Sequence, residues 1–237
     1  MNNNLEFNDG VYVNDNAVSK SFVSNVFAYM ALALAISGAL AYLFGTTDLI
    51  LSLITRTGMT TLGWVVMFAP FAFILAMNFG FNKMSFTTLL AVFLGYAAVM
   101  GISLSFIFLV YDLGIITKVF FITAGLFGAM AFIGYTTKTD LTKFGGILMM
   151  AVIGLVIASV VNMFMKSSQM DYIISCIGVL VFTGLTAYDV QKIKRIGAGV
   201  EFGTAEASKL ALMGALNLYL DFVNLFMFLL RVFARRD

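Results

Sequence analysis

The chain has 237 residues, 61% hydrophobic and 11% charged, with a mean hydropathy of +0.99. Soluble domains are roughly 45–50% apolar and about 25% charged, so an ordinary soluble globule and a disordered segment are both excluded. A net charge of +2 supplies no basic field for DNA or RNA. Histidine is absent and Cys176 is the single cysteine, which removes disulfide scaffolds, Cys/His zinc sites and nucleophiles activated by a His base. The chain is therefore expected not to be an enzyme.

Residues 1–20 are polar and Asn-rich, and Glu6, Asp9 and Asp15 precede the first basic residue, Lys20. A cleaved signal has the opposite layout, a basic start and an early apolar run. This stretch reads as a flexible tail, and 21–237 as a single transmembrane domain. Seven apolar runs follow, at about 22–44, 62–79, 86–110, 115–134, 144–165, 172–191 and 207–232. Each is long enough to cross a bilayer as a helix. Most breaks between them are short, so successive helices are expected to run antiparallel. The fold class is an all-α membrane protein, a bundle of seven transmembrane helices.

Small residues recur every four positions at Ala31, Ala35 and Ala39, at Ala124 and Gly128, and at Ala207, Ala211 and Ala215. Such stripes let helix backbones approach closely in lipid. Pro70, in the middle of the second run, frees a carbonyl one turn earlier and predicts a kink. With the N-terminus inside and seven crossings, eight of the fourteen Lys and Arg residues fall on the inner side, a weak bias toward that orientation. The cluster Lys192, Lys194 and Arg195 reads as an anchor to anionic lipid.

Of the twelve acidic residues, two fall within apolar runs: Asp189 near the end of the sixth and Asp221 near the middle of the seventh. An ionisable group at membrane depth costs several kcal/mol unless paired or hydrated, and marks a functional site by default. Gly214, Asn217, Asp221 and Asn224 are spaced 3, 4 and 3, which makes one polar stripe on the seventh helix. Gly178, Phe182, Thr186 and Asp189 share a face of the sixth. Consecutive helices that turn these stripes inward bring the two carboxylates together. Such a pair shares one proton and titrates as a unit, and its ionised oxygens suit Ca²⁺. The alternative is structural: a buried Asp can cap a helix or satisfy Asn217, Tyr188 or Tyr219.

Two segments, GLTAYDVQKIK at 184–194 and LNLYLDFVNLFMFLLRVF at 216–233, resemble the signatures of the Bax inhibitor family of membrane proteins. FFITAGLFGAMAFIGYTTKTDL at 120–141 is similar to that family's fourth helix and following loop. The resemblance implies a seven-helix bundle with the last helix central and a slow, pH-sensitive calcium leak. Its paired aspartates match Asp189 and Asp221; the polar stripes place Asn217, Asn224, Thr186 and Tyr188 in support of them. Some bacterial relatives carry an arginine latch after helix two; the stretch here reads MNFGFNKM, where Lys83 is the nearest base. Two functions follow as expectations. One is a calcium leak channel gated by the dyad, with Ca²⁺ as the ion carried and no cofactor. The other is a stress or cell-death regulator that binds membrane proteins such as a membrane-bound AAA protease. Short loops and the resemblance place the chain in a bacterial inner membrane, its N-terminus cytoplasmic.

Overall fold

The computed structural model describes residues 15–56, 58–201 and 203–234. Most of the expected tail, residues 1–14, lies outside the described residues; its remainder, 15–20, is not a tail but the start of the first helix. Seven helices account for nearly all the rest: α1 (Asp15–Thr46), α2 (Thr61–Gly80), α3 (Phe86–Leu104, continued by a 3-10 turn over Ser105–Leu109), α4 (Leu113–Thr136), α5 (Thr142–Met165), α6 (Ser168–Gly199) and α7 (Ala205–Phe233). All seven are long and apolar enough to cross a membrane. The protein is an all-α membrane protein.

The polar breaks carry the helix starts. Thr60, Ser85, Ser167 and Thr204 each accept a backbone N–H from the first turn of the following helix, satisfying a donor that the helix leaves open. The first and longest break contains structure that its composition did not reveal: a 3-10 turn at Asp48–Ser52 and a hairpin of β1 (Ile54–Thr55) and β2 (Gly58–Met59). Gly58 has φ of +134°, which only glycine adopts readily. Helix α2 runs unbroken through Pro70.

Packing is uneven. Helix α7 is the most buried, with 67% of its apolar window covered against 6% for α5. It packs on α6, α1, α4 and α3; α2 packs on α3, and α5 on α6. Near the far end of the α6–α7 pair, Arg231 lies 3.8 Å from Asp171, so the two helices run antiparallel and α7 returns to the level of the start of α6.

The small-residue stripes are placed differently from expectation. Ala207, Ala211 and Ala215 are buried, but Ala31, Ala35, Ala39, Ala124 and Gly128 are exposed. In lipid an outward alanine costs nothing, because lipid tails are as apolar as the protein. Close backbone approach occurs instead at Gly101 and Gly134, where a Cβ would collide with the backbone of Ser37 and Ala187.

Candidate functional site

Asp189 and Asp221 meet across the α6–α7 interface, close enough for each carboxyl group to act on the other, and both line one cavity. Ionised carboxylates only accept, so a hydrogen bond between two such groups needs a shared proton, and a cation can stand in that proton's place. Asp221 is 5% exposed, and its Oδ2 has no hydrogen bond to a protein group. Helix α6 continues to Gly199 rather than stopping near 191, because the basic run KIKR extends it beyond the apolar part. Asp189 therefore lies about 15 Å before the end of its helix, not in the final turn.

The pair faces a cavity of about 310 Å³ between α5, α6 and α7. Asn217 and Asn224 line it from α7, Tyr188 and Lys192 from α6, and Gly145, Met149 and Val152 from α5. The Asn224 Nδ2 donates to the Leu220 carbonyl at 2.8 Å, which leaves its Oδ1 as an acceptor. Two carboxylates with amide and phenol oxygens offer a hard cation a few oxygen ligands. Among the described residues no group of three or more Asp, Glu, Cys or His side chains forms a denser metal centre.

The remaining expected residues are placed otherwise. Thr186 is fully buried and bonds the Phe182 carbonyl of its own helix at 2.8 Å; it does not line the cavity. Lys83 is exposed in the turn after α2 and does not line the cavity either, since α2 packs on α3 rather than on α6. The base that lines the cavity with the dyad is Lys192. Its position, one turn beyond Asp189, was readable as an i, i+3 pair.

The same end of α6 also pins the α4–α5 loop. Gln191 accepts from the Leu141 N–H and donates to the Thr139 carbonyl, both at 2.8 Å. Arg195 bridges Asp140 and Gln191. The Thr142 hydroxyl, and then Arg195, hold the Asp140 carboxyl well below the usual carboxylate range.

A second buried polar cluster went unread in the sequence. The Tyr219 hydroxyl lies 2.7 Å from Ser37 Oγ, which itself donates to the Ala97 carbonyl at 2.7 Å. The Tyr96 ring meets Tyr219 edge-on at 5.4 Å. Tyr219 and Asp221, two positions apart, project to opposite faces of α7, so Tyr219 serves this cluster and not the dyad. A tyrosine in an apolar run gives no periodic signal that would have separated it from packing.

Comparison with known proteins decides the family. Residues 19–237 match the model of the family described as inhibitor of apoptosis-promoting Bax1. The chain belongs to the Bax inhibitor family. Within that family it is 38% identical to the inner membrane protein YbhL of Escherichia coli over 218 residues, 92% of each chain. It is 41% identical to a protein of Borreliella burgdorferi over 92% of this chain and 94% of the relative. A protein of Rickettsia prowazekii is also 41% identical, over 92% and 90%. The Bax inhibitor match begins at the foot of α1 and contains all seven helices, so the chain is a multi-pass integral membrane protein of this family.

Proposed function

We propose that this Bax inhibitor family protein is a slow, pH-sensitive calcium leak channel in which Asp189 and Asp221 hold either a proton or a calcium ion. The observation that carries this reading is the contact between the two carboxyl groups on the wall of a cavity also lined by Asn217 and Asn224. Two like charges in a low-dielectric site do not both ionise cheaply. A divalent cation replaces the shared proton and neutralises both. Two carboxylates make a weak site by the standard of dedicated calcium loops, which suits permeation, because an ion that binds tightly does not leave.

Lys192 sets the electrostatic balance at the cavity rim. Its ammonium opposes a cation at the neighbouring carboxylates. Helix α5 forms the outer wall and is the least buried of the seven helices, so its displacement is the smallest change that would widen the cavity. The relative named as an inner membrane protein supports a bacterial inner membrane location. The eight-to-six distribution of Lys and Arg supports a cytoplasmic N-terminus.

Calcium uptake into proteoliposomes between about pH 6 and pH 8 tests the proposal. The wild type should conduct at a rate that changes with pH. Asp189→Asn and Asp221→Asn should each flatten that dependence. Wild-type pH behaviour in Asp221→Asn liposomes would dismiss the dyad as the sensor.

A further inference from the structure

We infer that the crevice between α1 and α4 binds one anionic phospholipid, with an acyl chain along the crevice and the phosphate in a basic pocket at its foot. Helices α1 and α4 both pack on α6 and α7 but scarcely touch each other. In the space between them, about 410 Å³, Val23 and Phe27 of α1 face Gly128, Ala131 and Phe132 of α4. The lining runs from Lys20 to Phe27 on one helix and from Tyr135 back to Gly128 on the other. That is about 10 Å of nearly apolar wall along the helix axes.

Tyr135 also lines a second cavity, of about 260 Å³, which adjoins the foot of the crevice at that residue. Lys138, Lys194 and Arg195 line it together with Gln191. The Lys194 Nζ donates to the Tyr135 carbonyl at 2.8 Å and stands 4.6 Å from the centre of the Tyr135 ring. This fixes one cation at the junction of the two spaces with further N–H donors to offer. Lys20 lines the foot of the crevice, and the exposed Lys138 makes no ion pair among the described residues. Asp140 is the carboxylate nearest this group, and Arg195 engages it.

The charge and the shape therefore call for one occupant with a phosphate at one end and hydrocarbon at the other. Basic pockets between helices at the membrane surface take anionic lipid headgroups. Gly128 fits the same reading: a Cβ there would meet nothing within 4 Å. Helix packing does not require glycine at this position, which opens onto the crevice.

Native mass spectrometry of the full chain, offered equal phosphatidylglycerol and phosphatidylcholine, tests the inference. The wild type should retain phosphatidylglycerol preferentially. Lys138→Ala and Lys194→Gln should each reduce that retention about fivefold, the effect of one basic residue near an anionic headgroup. Gly128→Leu should reduce it with thermal unfolding unchanged, because the added side chain fills the crevice and not the core. Equal retention of the two lipids, or wild-type retention by Gly128→Leu, overturns the inference. Displacement of the lipid by millimolar inorganic phosphate would mark a free-phosphate site and overturn it as well.

Discussion

Single side chains carry unequal weight in this molecule, and the polar ones buried in α7 carry the most. Ser37→Ala leaves the fully buried Tyr219 hydroxyl without its partner. Loss of about 1–3 kcal/mol is expected for an orphaned buried hydroxyl, read by thermal unfolding in detergent. Tyr219→Phe should cost less, because Ser37 keeps its bond to the Ala97 carbonyl. Asp140 behaves differently. Its carboxyl is held low, so its contribution to stability is complete above the unfolded carboxylate value of about 3.9. That contribution is lost only as the solution becomes acid enough to pass through the folded value. Asp140→Asn should accordingly leave any pH response between about pH 6 and 8 unchanged in the flux assay, which separates this exposed ion pair from the buried dyad.

Among the elements, α5 stands apart. It packs on α6, and its outer surface faces away from the core. Its last turn ends at Lys166, whose φ of +52° is left-handed. A glycine there adopts that geometry without the Cβ penalty of roughly 1–2 kcal/mol, partly offset by its greater freedom in the unfolded chain, so Lys166→Gly should stabilise the protein by about 1 kcal/mol, again seen in thermal unfolding. At its other end, Gly145 lies so close to the Tyr188 ring that a Cβ would approach it to 2.7 Å. Gly145→Val should push α5 outward at the cavity wall and raise basal calcium leak in liposomes; an unchanged leak would show that this wall does not gate the path.

For the whole molecule, the seven crossings and the meeting of Asp189 with Asp221 were both legible in the sequence. Apolar run length registers the bilayer directly, and two acids in matching polar stripes have few places to go. What was not legible has a common cause: hydropathy does not tell lipid from protein. The outward stripes at Ala31 and Ala124, the inward Ser37 and the crevice beside Gly128 all lie in equally apolar runs. Lys83 follows α2 in the sequence, but the fold packs α2 on α3 and brings Lys192 to the dyad instead. The far end of α6 was hidden because a basic helical extension and a basic loop have the same composition.

The proposed leak depends on two neighbouring acids exchanging a proton for a divalent ion. Proton release on adding calcium to the purified protein in weakly buffered detergent near neutral pH measures that exchange directly. The wild type should release protons as calcium binds, and the protein with both Asp189→Asn and Asp221→Asn should release none. Equal release from the two proteins, or no release from the wild type, would contradict the claim.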